Sequence, residues 1–135
     1  MGYIELLRIL QAIVHYGLHF LFPGLIAWLF FRTRWKKVWL MMLATMLVDL
    51  DHLLSNPIFD PNRCSVGYHP LHSYYAIVVY VALLISSKTR IVAIGLLFHI
   101  FTDYQDCFWT NYLHNLGKWY HFYFLFLKNN ELCKQ

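Results

Sequence analysis

The stretch Ile91-Val-Ala-Ile-Gly-Leu-Leu-Phe-His99-Ile-Phe-Thr-Asp103-Tyr-Gln-Asp-Cys-Phe108 decides how the chain is read. It passes the lower limit of about 17 residues for a helix that crosses a hydrocarbon layer, yet it carries a histidine and an aspartate in its apolar part. An ionisable side chain at mid-membrane costs at least about 2.5–3.5 kcal/mol on insertion scales, so such residues face a protein interior and have a task. His99 and Asp103 are four apart and share one helix face, which is how a helix offers two ligands to one ion. The other reading of the pair is a neutral hydrogen bond between helices, which needs no metal.

The whole chain agrees with a membrane setting. Of 135 residues, 59% are hydrophobic, 19% aromatic and 13% charged, against about a quarter charged in an ordinary soluble domain. One domain of this length cannot enclose so much apolar surface, which argues against a water-soluble monomer. The formal charge of +4 does not mark a nucleic-acid binder, because the basic residues sit in short clusters between apolar runs, a topology pattern. Cys64, Cys107 and Cys133 are too few and too scattered for a disulfide framework or a zinc ribbon and are expected to pack as small hydrophobes. No basic leader or cleavage site accompanies the first apolar run, which reads as a retained membrane segment.

Working outward, the sequence predicts an all-α, polytopic membrane protein, a single domain over 1–135 with four transmembrane helices at about 9–31, 38–54, 71–87 and 91–108. The residues between the second and third helices hold Pro57, Pro61, Gly67 and Pro70, a loop long enough to carry function. Segment 111–128 is rich in aromatics and is expected to lie at the interface or to make a shallow re-entrant pass. Lys and Arg crowd the first connection (Arg32, Arg34, Lys36, Lys37) and the third (Lys88, Arg90), whereas the loop before Pro70 has only Arg63. Cytoplasmic loops carry the excess, so both termini and that loop are expected outside the cytoplasm of a bacterial inner membrane.

On that topology, a rise of ~1.5 Å per residue puts His99 and Asp103 about 12 and 18 Å above Ile91, and Asp49 and Asp51 about 18 and 21 Å above Lys37. His19 falls about 20 Å above Arg32 and His72 about 24 Å above Lys88. Four segments thus bring His and Asp to one layer. His15 and His19 share a face as His99 and Asp103 do, although His15 can equally sit at the outer interface. Asp49, Asp51 and His52 cannot all aim at one ion from a straight α-helix, because Asp49 and Asp51 point about 160° apart at ~100° per residue. Either the helix breaks near Asp51 or one carboxylate orients a ligating imidazole from outside. His69 and His72 open the third helix, with Ser73 a candidate to orient one of them.

Gly17-Leu-His19, Leu47-Val-Asp49-Leu-Asp51-His52, His69-Pro-Leu-His72-Ser73 and Leu97-Phe-His99-Ile-Phe-Thr-Asp103 occur in this order. In these motifs the chain resembles the YdjM-like group of bacterial membrane-bound metal-dependent hydrolases, and more closely a small family of four-helix bacterial membrane proteins with the same polar residues. It departs from the YdjM-like pattern at Val48, where a proline is usual. Its two loop histidines are one residue closer together, and the Arg-Gly pair of that motif is absent, so no phosphate clamp is implied there. Arg63 is the candidate substitute for binding substrate, with an ordinary solvated arginine as the other reading.

His19, Asp49, Asp51, His52, His69, His72, His99 and Asp103 exceed what one four-coordinate ion uses and suit two divalent ions, zinc first, with manganese or iron as alternatives. The expected activity is hydrolysis of an amphiphilic, lipid-like ester or phosphoester near the outer face, with Asp49 as proton acceptor and His15 and Arg63 toward the substrate. Membrane lipids are the expected partners and nucleic acid is not. A di-iron oxidoreductase of the desaturase or hydroxylase type, a non-catalytic metal binder or transporter, and a structural membrane protein are the rival readings.

Overall fold

The computed structural model describes residues 2–58 and 64–132, with side chains described as far as Tyr123. Among these residues there is helix and no strand. Helix α1 runs Gly2–Phe30, and a single 3-10 turn at Arg32–Arg34 leads into α2, Trp35–Ala44. The chain continues without interruption as a 3-10 helix, Thr45–Leu54. After the loop, a 3-10 turn at Pro70–His72 precedes α3, Tyr74–Leu83, and α4 occupies Arg90–Leu132.

Helices α1 and α4 are long and apolar enough to cross a membrane. Their most apolar windows are only 17% and 28% buried within the fold, where the core helix of a soluble protein would be mostly buried. Leu21, Phe30, Tyr75, Ile85 and Phe108 each expose more than 70% of their surface, an outward apolar skin that water does not tolerate as a large contiguous patch.

Helix α4 packs against α1, α2 and α3 and is the axis of the bundle. At the end nearest the basic connection, Ala27, Val38 and Met42 form the apolar core, with Trp35, Trp39, Ile91 and Ile94 against it. Pro23 lies inside α1 and lacks the N–H that would reach the His19 carbonyl. The neighbouring carbonyl of Phe20 accepts from the Trp39 indole at 2.9 Å, which ties α1 to α2. Gly95 marks a close approach of α4 to the junction of α2 with the 3-10 helix. A Cβ there would stand 2.9 Å from Thr45 Cγ2 and 3.2 Å from the Met42 Cα, which is backbone and has no rotamer to change. Gly95→Ala is therefore expected to cost about 1–3 kcal/mol, read as a lower melting temperature in detergent, while Gly117→Ala, with open space around it, should cost nothing measurable.

All four helices differ in their bounds from those read in the sequence. The first begins at Gly2 in place of residue 9. The second helix begins at Trp35 and changes from α to 3-10 at Thr45. The third is helical only over Tyr74–Leu83, because the Ser73 hydroxyl caps its start by accepting from Ala76 N–H at 3.2 Å. Its other end is closed by Thr89 Oγ1, which donates to the Leu83 carbonyl at 2.7 Å. The fourth does not stop at Phe108 but runs on through 111–128 to Leu132, since no proline interrupts the sequence there and a lone Gly117 is tolerated in a helix interior.

Candidate metal centre

Four side chains from three parts of the fold point at one spot. Asp49 comes from the 3-10 helix, His72 from the turn before α3, and His99 and Asp103 from successive turns of α4. His72 Nε2 lies 3.2 Å from His99 Nε2, 3.4 Å from Asp49 Oδ1 and 3.1 Å from Asp103 Oδ2. His99 Nε2 lies 3.1 Å from Asp49 Oδ1 and 3.4 Å from Asp103 Oδ2. The remaining separation, between the two carboxylate oxygens, is within 4.8 Å. A point equidistant from all four is then about 2.0–2.4 Å from each, a range that takes in the usual ~2.0–2.2 Å bonds from a small divalent ion to imidazole and carboxylate. Two carboxylates and two neutral imidazoles also carry the charge that one divalent cation cancels, and buried carboxylates need such a partner. The donors present fit a metal ion.

Of the two imidazoles, that of His72 is held for this role, whereas the buried His99 Nδ1 has no hydrogen-bond partner among the described residues. His72 is fully buried, and its Nδ1–H donates to Asp51 Oδ2 at 3.1 Å, leaving the Nε2 lone pair for the cluster. Asp51 Oδ2 also accepts from the Leu71 N–H at 2.8 Å, while the Leu71 carbonyl accepts from Tyr80 OH at 2.9 Å. Gly67 completes this support. Its φ of +84° suits a residue without Cβ, and the turn lets its N–H donate to the His72 carbonyl at 3.0 Å.

A second group adjoins the first. Asp103 turns its other oxygen, Oδ1, toward His19 Nε2 at 3.4 Å. The His19 Nδ1–H donates to the His15 carbonyl at 3.0 Å, so again Nε2 keeps the lone pair. His15, His19 and Asp103 form a three-member set able to hold an ion, with Asp103 common to both sets. Beyond it, His15 Nδ1 stands 3.7 Å from Asp106 Oδ1, and the Gln11 amide donates to Asp106 Oδ1 and Thr110 Oγ1, both at 2.9 Å. Sequence reasoning missed Gln11, Asp106 and Thr110. The signal was present as two polar stripes at helical spacing, Gln11-His15-His19 and His99-Asp103-Asp106-Thr110.

The two aspartates of the Asp-x-Asp-His motif play different parts, and the 3-10 winding is the reason. At about 120° per residue, Asp49 and His52 fall in line while Asp51 points to another side. Asp49 reaches the four-donor set, and Asp51, 4% exposed, sits behind His72. His52 faces Asp51 Oδ1 at 3.2 Å and Asp49 Oδ1 at 3.7 Å, and its Nε2 lies 3.0 Å from Ser65 Oγ. Asp51, His52 and His72 form a third set of clustered donors, although His72 enters it through the Nδ1 that Asp51 already holds. His69 belongs to none of the three sets. Its ring stacks on His52 with centroids 3.9 Å apart, and Ser55 Oγ lies 3.1 Å from its Nδ1. Ser73 caps α3 in place of orienting a histidine. Arg63 lies outside the described residues.

Cys64 and Cys107 are joined in a disulfide, a correction to their expected role as separate small hydrophobes. The bond ties the loop that carries Ser65, His69 and His72 to α4, one turn beyond Asp103. With a sequence separation of 43 between the two cysteines, loop-closure entropy gives such a link about 4 kcal/mol. In protein purified without reductant, both thiols are expected to resist alkylation until reduced. A Cys64→Ser, Cys107→Ser protein is expected to melt well below the parent in detergent.

Helices able to cross a membrane, joined around a buried His/Asp cluster, define an all-helical protein with a candidate metal centre inside an apolar shell. The chain belongs to a family of unknown function, DUF6122, which matches residues 9–110. That span holds every donor described above and leaves the last part of α4 outside. No curated protein and no solved structure matches the chain.

Proposed function

We propose that this protein is a membrane-embedded hydrolase that uses two divalent ions, zinc first among them, on a lipid-like ester or phosphoester. The observation that carries the reading is the four-donor cluster, with five of its six separations between 3.1 and 3.4 Å. Mixed imidazole and carboxylate donors without a thiolate suit zinc, manganese or iron. Asp49, His72, His99 and Asp103 would hold one ion; His19, His15 and the second oxygen of Asp103 would hold the other. Divalent ions so placed polarise an ester or phosphoryl oxygen and acidify water at neutral pH. The order of the four motifs, shared with the YdjM-like hydrolases, supports the same class.

The chain's own residues divide the remaining work. The Asp49 side chain is 41% exposed, whereas those of His72, His99 and Asp103 keep 8% or less, so Asp49 marks the open side where substrate arrives, and its Oδ2, outside the donor set, is the oxygen left to take a proton. Asp51 and the His15 carbonyl fix the tautomers of His72 and His19. The membrane reading is four passes with both termini and the 55–70 loop outside the cytoplasm, which sets the centre near the outer face. The Cys64–Cys107 pair supports this orientation, because disulfides persist on the oxidising side of a bacterial membrane.

Elemental mass spectrometry of detergent-purified protein, with no metal added, tests the reading. Close to two zinc or manganese ions per chain, together with release of phosphate or carboxylate from lipid esters, is the expected result. Two irons with oxygen consumption would replace hydrolysis by oxidative chemistry, and no metal after reconstitution would withdraw the enzyme.

A further inference from the structure

A groove of about 440 Å³ opens between the second helix, α3 and α4, lined by Met41, Thr45, Val48, Leu71, Tyr80 and Leu96 among others. This is the size of a small-molecule site, and its chemistry is one-sided. The two polar side chains in its wall have already committed their hydroxyls to backbone, Thr45 to the Met42 carbonyl at 2.6 Å and Tyr80 to the Leu71 carbonyl at 2.9 Å. Both hydroxyl protons are thus taken and every other lining side chain is apolar, so the wall suits a hydrocarbon.

The direction of the groove identifies which hydrocarbon. One end is built by Val48 and Leu71, the sequence neighbours of Asp49 and His72. The other end is built by Met41 and by Val92, which lies seven residues before His99 on α4, about 10 Å along the axis. None of the four donors lines the groove, but one of its ends stands at their height along the bundle, and from there it runs toward the basic connection at Arg32–Arg34. Its lip includes Leu47 and Leu71, 66% and 43% exposed, which makes it continuous with the apolar outer skin of the bundle. A molecule with its polar end at Asp49 and its tail in this groove lies parallel to the helices, as a lipid does.

We propose that the groove binds one acyl chain of a membrane lipid and so selects long-chain amphiphiles as substrates of the centre. The proposal rests on the hydrolase reading for what happens at the polar end, but not for what fills the groove. Phosphatidylglycerol with a diazirine on one acyl chain is the probe, with the full-length, metal-loaded protein in nanodiscs. Irradiation is expected to label peptides covering Met41–Val48 and Val92–Leu96 above the general labelling of α1, whose Leu21 and Phe30 face outward.

Leu96→Trp fills the groove and should cut that labelling at least tenfold with metal content unchanged. Ala44→Trp at the exposed lip does the same without disturbing the core, and it decides the matter if the Leu96 protein fails to fold. Uniform labelling of all outward faces, or labelling indifferent to Ala44→Trp, would overturn the groove. Because cross-linking needs no turnover, groove labelling without ester release would sink the hydrolase alone, and ester release without groove labelling would sink the acyl site alone.

Discussion

An Asp103→Ala protein is expected to carry less than about a tenth of an ion per chain, where the parent is expected to carry about two. The size of the effect follows from position. Asp103 Oδ2 faces His72 and His99 at 3.1 and 3.4 Å, and its Oδ1 faces His19 at 3.4 Å. No other carboxylate belongs to both donor sets. Its removal leaves Asp49, His72 and His99 at one position and His15 and His19 alone at the other, and takes away one of two negative charges at the first and the single one at the second. Asp103→Asn keeps the shape and hydrogen-bonding capacity of the side chain, so it separates charge from packing. It too should lose at least about 100-fold in zinc affinity, beyond the 10–100-fold typical of changes outside the ligand set. If both variants melt with the metal-stripped parent, the loss belongs to the site and not to the fold. Full metal content in Asp103→Ala would remove the residue from the centre, and ester hydrolysis that persisted without metal would remove the centre from the chemistry.

What could be read in advance was mostly what periodicity governs. His99 with Asp103, and His15 with His19, are spaced for one face of an α-helix, and the structure keeps both pairs on α-helices. The change of winding at Thr45 was not legible. Nothing in Thr45-Met-Leu-Val-Asp-Leu-Asp-His-Leu-Leu54 disfavours an α-helix locally. A 3-10 run of this length, well beyond the usual three or four residues, is held by the contacts of Asp51 with Leu71 and His72. Only tertiary structure supplies those contacts. The same applies to His69, which a short spacing joins to His72 but which the turn at Gly67 lays on His52 instead.

The disulfide could have been found. Cys107 lies about 24 Å above Ile91 on the helix-rise scale, the height also reached by His72, and Cys64 belongs to the loop that must return at that height. Counting cysteines obscured what depth would have shown. The continuation of α4 past Phe108 was hidden for a different reason. Its aromatic tail is too apolar for an ordinary solvated helix and too short for a separate span, and composition alone does not say whether a helix has ended.

Asp51→Asn separates the orienting carboxylate from the binding ones. In the parent, Asp51 Oδ2 accepts from both Leu71 N–H and His72 Nδ1–H, at 2.8 and 3.1 Å, while Oδ1 faces His52 Nδ1 at 3.2 Å. An asparagine keeps one acceptor oxygen in place of two and loses the charge that makes the His72 ring more basic. His72 then still reaches the cluster but is held less firmly, and zinc affinity should weaken by about 10–100-fold, the usual effect of disturbing a carboxylate behind a ligating histidine. Stoichiometry should return at saturating zinc, as read by competition with a chromophoric chelator. Asp49→Asn alters a donor directly, so its lost ion should not return under the same titration. The contrast between two aspartates separated by one residue tests their division of labour, one carboxylate facing the cluster and the other standing behind His72. Equal and irreversible loss in both variants would make Asp51 a ligand. Unchanged affinity in Asp51→Asn would mean that the grip of Asp51 on His72 does not matter for holding the ion.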